Sequence, residues 1–331
     1  MASSPPIGVL LAQLGTPDAP TTSAVRAYLR AFLSDRRVVD VNPWLWKPLL
    51  HGVILRTRPR RSAAAYARIW TKDGSPLLVH SRAQAAGVAE RLGPGFHVEL
   101  GMRLGQPRLA DALDRLVAAG CRRVIVLPLF PQHSGATSGS IFDGLAEWAR
   151  GQRGLPELTI VRGFADHPAW IAAWAARVRA ANALPSATRP FVISFHGIPR
   201  RHVREGDPYE AECAATARAL TQALGADPAH VRVVYQSRFG REEWLTPYAA
   251  EALPAWAKEG LTSLALVPCS FVADCLETLD ELGNELKHAY LAAGGRDYTL
   301  VPCPNASPEA LDALTTIVRE RCGTPDGRLG G

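Results

Sequence analysis

The 331-residue sequence has no run of about 18 apolar residues, the length a helix needs to cross a bilayer, so no membrane span is expected. Its start, Met1-Ala-Ser-Ser-Pro-Pro6, lacks the basic and apolar stretches of a secretory leader and runs straight into Ile7 to Leu11. A chain that is not exported, and is cytoplasmic, is the expectation. Six cysteines are scattered with no C-x-x-C pair, which predicts reduced thiols rather than a disulfide framework and argues against a zinc or iron–sulfur site. No G-x-G-x-x-G follows a strand, so a dinucleotide has little support. The loop Pro128 to Ser140 is rich in Gly, Ser and Thr but lacks the Gly-Lys-Ser/Thr ending of a P-loop. Gly-x-Ser-x-Gly is also missing, which lowers the case for a hydrolase. With 47% hydrophobic and 21% charged residues the chain is neither disordered nor fibrous, and its length suits two domains.

A further absence is local. Between Asp40 and Asp73 there is no acidic residue, while Lys47, Arg56, Arg58, Arg60, Arg61, Arg68 and Lys72 fall there. Of the net charge of +6, residues 41–72 carry +7 and the remainder −1. Trp44, Trp46, Tyr66 and Trp70 share the segment with the apolar run Leu49 to Leu55. One reading is a solvated basic surface beside an ordinary core helix. The other is a surface for a flat, apolar, anionic partner: a carboxylated ligand, a membrane or a nucleic acid. The lack of positive excess elsewhere counts against nucleic acid.

Short β-branched runs alternate with Ala/Leu-rich stretches of helical length. Ile7–Leu11, Val124–Leu129, Phe191–Phe195, Val231–Tyr235 and Leu264–Pro268 read as buried strands, and 169–181, 209–224 and 278–292 as helices. That alternation predicts an α/β fold with doubly wound parallel sheets. The halves echo each other in order. Leu10-Leu-Ala-Gln-Leu-Gly15-Thr-Pro17 resembles Val192-Ile-Ser-Phe-His-Gly197-Ile-Pro199, Arg103-Leu-Gly105 resembles Arg238-Phe-Gly240, and Gly120 to Pro128 resembles Gly260 to Pro268. Two similar domains follow. Gly15 lies 88 residues before Arg103, but Gly197 only 41 before Arg238, so the first half carries about 47 extra residues at a strand's carboxyl end. The basic, aromatic segment lies inside that interval, beside the cleft where such folds bind ligands.

His196 ends a strand and precedes Gly197, placing an imidazole at the crevice where a base or metal ligand belongs; a hydrogen-bonded turn histidine is the plainer reading. After the strand ending at Pro268, Glu277, Glu281 and Glu285 recur every four residues with Asp274 one turn earlier. Such a row is usually a solvated acidic face. It is also a path for a divalent first-row cation, since carboxylates and one imidazole suit that ion.

At this point the chain resembles the ferrochelatase family, bacterial type. The resemblance rests on Leu14-Gly-Thr-Pro17, Phe32-Leu-Ser-Asp-Arg-Arg-Val-Val39, Tyr66-Ala-Arg-Ile-Trp70, Gly74-Ser-Pro-Leu77, Pro128-Leu-Phe-Pro-Gln132, Ser194-Phe-His-Gly-Ile-Pro199, Gly206-Asp-Pro-Tyr209, Gln236-Ser-Arg-Phe-Gly240 and Asp274-Cys-Leu-Glu-Thr-Leu279. It implies two Rossmann-like domains with a porphyrin in the cleft between them. Residues 1–160 are expected as the first domain, with a lip insertion over about 30–76. Residues 161–310 are expected as the second, and 311–331 as a helix and flexible tail. The resemblance implies insertion of ferrous iron into a porphyrin, protoporphyrin foremost, in haem synthesis. His196 and Glu277 would be catalytic and metal-facing, with Asp274, Glu281 and Glu285 as relay. Leu14, Arg56, Arg58, Ser75, Arg103 and Phe130 would meet the porphyrin or its propionates. No iron–sulfur cluster is expected, because only Cys303 and Cys322 remain in the tail. Residues 41–72 are expected to allow reversible contact with the inner face of a membrane. The family pattern is broken at Leu104, Phe130, His133 and Cys269-Ser270. Rival readings are a cobalt or nickel chelatase for another tetrapyrrole, and a non-catalytic haem carrier.

Overall fold

The computed structural model describes residues 5–240 and 242–323; the tail expected at 324–331 lies outside the described residues. The first half runs β1 (Ile7–Gly15), α1 (Thr22–Ser34), α2 (Pro43–Leu49), a π-helical turn (Leu50–Ile54), α3 (Leu55–Ile69), α4 (Pro76–Leu92) and β2 (Phe96–Leu104). It continues with α5 (Leu109–Ala118), β3 (Arg123–Pro128), a second π-helical turn (Gly135–Gly139), α6 (Ser140–Arg150) and β4 (Glu157–Ile160). After α7 (Pro168–Ala180) the second half runs β5 (Phe191–His196), α8 (Arg200–Arg204), α9 (Tyr209–Leu224), β6 (Val231–Gln236) and α10 (Ala249–Lys258). Then come β7 (Ser263–Pro268), a π-helix (Glu277–Leu286), α11 (Lys287–Ala292), β8 (Asp297–Leu300) and α12 (Pro308–Cys322).

Both sheets are parallel and have the same strand order, β2-β1-β3-β4 and β6-β5-β7-β8. The register confirms the echo: Ala12 stands opposite Pro128 as Ser194 stands opposite Pro268. All five expected strands are present. β2, β4 and β8 were not expected: β2 interrupts its apolar side chains with His97, Glu99 and Arg103, and the other two are four-residue strands at sheet edges.

Strand alternation divides the core. Val9 and Leu11 of β1 face the same central cluster as Phe191, Ile193 and Phe195 of β5, packed through α4, α7, α9 and α12. Leu10 and Ala12 face an outer cluster under α5 and α6, and Val192 faces another under α10 and α11. The halves therefore share one core. They also exchange helices, since α7 follows the first sheet yet packs on α9, and α12 follows the second yet packs on α4 and β3. Arg123 of β3 fastens α12 by donating to the carbonyls of Cys322 and Arg321, each at 2.7 Å.

The insertion forms a small body of its own. Val25, Leu29 and Leu33 of α1 pack on Trp46, Leu50, Leu55 and Tyr66, and Leu276 of the second half packs against this cluster. The Trp46 indole N–H donates to the Leu33 carbonyl at 2.6 Å. Burying a side chain of this kind contributes about 1.5–3 kcal/mol. Between β1 and β2 stand α1 to α4, where the second half has only the five-residue α8 and α9 between β5 and β6. The outward face leaves Trp44 87% and Leu45 72% exposed, with Leu49 and Val53 beside them.

Candidate functional site

The lip touches the carboxyl end of each sheet: the Tyr28 hydroxyl donates to the Gly15 carbonyl at 3.1 Å, and Leu276, beyond β7, packs on the lip cluster. Leu14 and His196 occupy matching places there, each half-buried and each the residue before the glycine that follows the central strand's apolar run. The backbone N–H of His196 donates to Ser270 Oγ at 2.9 Å, and that hydroxyl is hydrogen-bonded to the Tyr209 hydroxyl at 2.7 Å. The ring nitrogen Nδ1 lies 2.8 Å from the Gly197 carbonyl oxygen. A carbonyl only accepts, so Nδ1 carries the hydrogen, and in the neutral form of the ring the lone pair is on Nε2. The Phe271 ring stands edge-on to the imidazole, 6.5 Å between centroids.

Where one regular helix over 278–292 was expected, the acidic row lies on the π-helix Glu277–Leu286. Its wider i→i+5 turn is rare and often marks functional sites. Gly283, a poor helix former, lies within it. Glu281 feels both neighbours of interest: burial and Glu277 push its carboxyl up, while Ser237 and His196 pull it down, and burial prevails. The Ser237 N–H donates to Glu281 Oε1 at 2.7 Å and the Ser237 hydroxyl to Oε2. Glu277 borders the lip: burial raises the phenols of Tyr28 and Tyr66 well above the usual range, and the Glu277 carboxylate adds to both. Glu285 lies at the outer end, lining a cavity with Glu281.

Asp274, expected in the relay, is committed elsewhere. It is 6% exposed, and its carboxylate accepts from Thr278 Oγ1 (3.0 Å), the Cys303 N–H (3.2 Å) and Asn305 Nδ2 (2.7 Å), so it secures the start of the π-helix. Ser75 is likewise buried, and its Oγ accepts from the Leu78 N–H as the N-cap of α4. Arg103 is spoken for by Glu147, with its two guanidinium NH2 groups at 2.8 and 3.0 Å. Phe130 packs against the outer core of the first half. Arg56 and Arg58 remain exposed on α3, and Arg58 lies 4.8 Å over the Phe239 ring of the second half. Among the described residues no three His, Cys, Asp or Glu side chains converge closely enough to hold a metal ion.

Several neighbours of the site escaped the sequence reading. Asp280 lies within the acidic row yet turns away from it, pairing with Arg68 of α3 through two contacts of 2.7 Å. Those bonds and Asn284 hold its carboxyl below the usual range although burial opposes them. Ser237, Ser270, Tyr209 and Tyr28 were also passed over, although all but Tyr28 lie in or beside motifs that stand out in the sequence, and Tyr66 was read only as part of the lip. Which of their atoms face the histidine depends on loop conformation.

A family model described as Ferrochelatase matches residues 6–322. The chain belongs to the ferrochelatase family. It is 48% identical over 318 residues to the ferrochelatase of Azoarcus sp., covering 96% of this chain and 88% of that one. To the ferrochelatase of Escherichia coli O139:H28 it is 45% identical over 311 residues, covering 94% and 97%. Among solved structures it is similar to the sirohydrochlorin chelatase SirB of Bacillus subtilis in complex with cobalt, with a TM-score of 0.57 at 12% identity over 98% of each chain. It is also similar to CbiX, the terminal enzyme of siroheme biosynthesis in denitrifying bacteria, with a TM-score of 0.50 at 18% identity over 95% and 98%. These two likenesses place the ferrochelatase-family chain in the chelatase fold.

Proposed function

We propose that the chain inserts ferrous iron into a porphyrin, releasing two protons, as a step of haem biosynthesis, with His196 as the base. The reaction requires a flat macrocycle to lose two pyrrole protons while a hydrated ion loses water. A porphyrin held between the two sheet ends meets Leu14 on one wall and His196 on the other. The observation that carries this reading is the Nδ1–H donated to Gly197, which leaves a lone pair on Nε2 to accept a pyrrole proton. Glu281, whose carboxyl feels both His196 and Glu277, acts with Glu277 to guide the metal or take up protons. Asp274 and Ser75 then hold the frame, and Arg56 and Arg58 of the exposed lip pair with propionates.

Family membership at 44–48% identity to ferrochelatases favours iron over cobalt or nickel, since the cobalt-bound neighbour shares only the fold. Anaerobic assays offering Fe(II), Co(II) and Zn(II) to protoporphyrin, coproporphyrin and sirohydrochlorin test this. Iron insertion into a porphyrin is expected; insertion confined to sirohydrochlorin, or stoichiometric haem binding without insertion, contradicts it. No helix is long and apolar enough to cross a membrane among the described residues. The exposed Trp44, Leu45, Leu49 and Val53 beside Lys47 and Arg56 support reversible contact with an anionic bilayer, to which each basic residue near the surface adds about 1 kcal/mol. Such contact would put the mouth of the cleft where an apolar porphyrin dissolves.

A further inference from the structure

The residue that follows strand β6 has an uncommon backbone. Ser237 has φ of 65°, in the left-handed region that a residue with a Cβ occupies at a cost. Glycine would take this conformation without strain, so the side chain must serve some purpose there. Its hydroxyl and its N–H both go to Glu281, one to each carboxylate oxygen. The preceding Gln236 adds Nε2 at 3.4 Å from Oε2, and its own amide is fixed by Ser194 Oγ, which donates to Gln236 Oε1 at 2.8 Å. One dipeptide thus grips both oxygens of the carboxylate that neighbours His196.

The other side of the same group is open. Ser237 and Glu281 line a cavity of about 300 Å³ together with Arg238, Tyr248, Glu251 and Glu285. At this cavity Arg238 pairs with Glu251 at 3.0 Å and stacks 4.2 Å over the Tyr248 ring. Glu281 thus borders this cavity and feels the charge of His196. Held by charge-assisted bonds on both oxygens, it has one orientation and not several.

We infer that Ser237 is a positioning residue of the insertion reaction, fixing the Glu281 carboxylate between His196 and the outer cavity and acting only through it. This rests on the reading that His196 and the acidic row carry out insertion. Ser237→Gly keeps the backbone shape and the N–H but removes the hydroxyl, and Ser237→Ala serves as a second variant if the glycine loosens the strand end. Each is combined with Glu281→Gln, and single-turnover iron insertion into protoporphyrin is followed anaerobically beside porphyrin binding.

Loss of an outer-shell partner commonly costs about 10- to 100-fold, and a loss of that size in the single-turnover rate is expected for Ser237→Gly with porphyrin affinity unchanged. In the Glu281→Gln background the serine substitution should change the rate by no more than about twofold, the range within which independent effects add. Full activity of Ser237→Gly and Ser237→Ala, or an equal further loss in the Glu281→Gln background, overturns the inference. Wild-type activity of Glu281→Gln itself overturns instead the reading on which the inference rests.

Discussion

The two halves share a strand order, a register and a glycine at the same place, yet the strand ends before those glycines carry different side chains. At the end of β1 stands Leu14, followed by Gly15 with φ of 127°; at the end of β5 stands His196, followed by Gly197. A Cβ on Gly15 would lie 1.6 Å from the Leu104 carbonyl oxygen, and one on Gly197 would lie 3.1 Å from that of Gln236. Each turn is pressed against the neighbouring strand, so the residue before it has little freedom. The first half invests its additional chain in the lip, which supplies apolar and cationic surface. The second carries a histidine at its strand end and a row of carboxylates on a π-helix. Two equivalent strand ends thus present an apolar side chain and an imidazole, which the proposed function assigns to a wall and to the reaction centre.

The largest effect that sharpens this contrast is expected at Glu277. Glu277→Gln should lower kcat by about 100-fold or more, the scale of an acid–base group, with porphyrin binding retained. A normal rate would remove the row from the chemistry. Next is Gly15→Ala, which cannot keep its backbone and should destabilise the chain by more than about 3 kcal/mol in denaturant unfolding. Gly197→Ala should cost less, because its neighbour has only to yield by a few tenths of an ångström. Equal losses would contradict the difference between the two turns.

The Arg68–Asp280 pair joins lip to π-helix and gives a smaller effect. Arg68 is about half exposed while Asp280 is 5% exposed, so Arg68→Ala leaves a buried carboxylate with Asn284 alone and should cost about 1–3 kcal/mol. Because Asp280 is held below the usual carboxyl range, its contribution is present above the unfolded-state value, near pH 4, and is lost as pH falls through the lower folded-state value. Wild type and variant should thus converge in stability in strong acid; a constant gap at all pH values would refute the pairing. The smallest effect on turnover is expected in the lip's outer face. Trp44→Ser with Leu45→Ser should reduce sedimentation with anionic vesicles while changing turnover of detergent-dispersed porphyrin by no more than about twofold. Unchanged vesicle binding would count against membrane contact.

Much of this arrangement was legible from residues alone. β1 and β5 announce themselves by β-branched runs ending in glycine, and their echo gives the duplication. The place of His196 follows from that strand end, and the place of the lip from the unequal spacing. What was not legible depends on long-range pairing. Asp274 and Glu281 look alike in sequence, but Asn305 and the Cys303 N–H claim the first while Ser237 claims the second. Arg103 sits in a conspicuous motif, yet Glu147, 44 residues away, takes its charge. The exchange of α7 and α12 was hidden because both have the composition of ordinary crossover helices. The π-helix was hidden because four-residue spacing suits a regular helix too.

The most direct test compares the two matching strand ends. Leu14→Ala and His196→Ala are each measured for porphyrin affinity by fluorescence titration and for anaerobic iron insertion in a single turnover. The account predicts opposite losses: Leu14→Ala weakens porphyrin binding and leaves the insertion step near normal, whereas His196→Ala binds porphyrin and fails to insert iron. Insertion by His196→Ala at a near-normal rate, or the same loss in both variants, would contradict it.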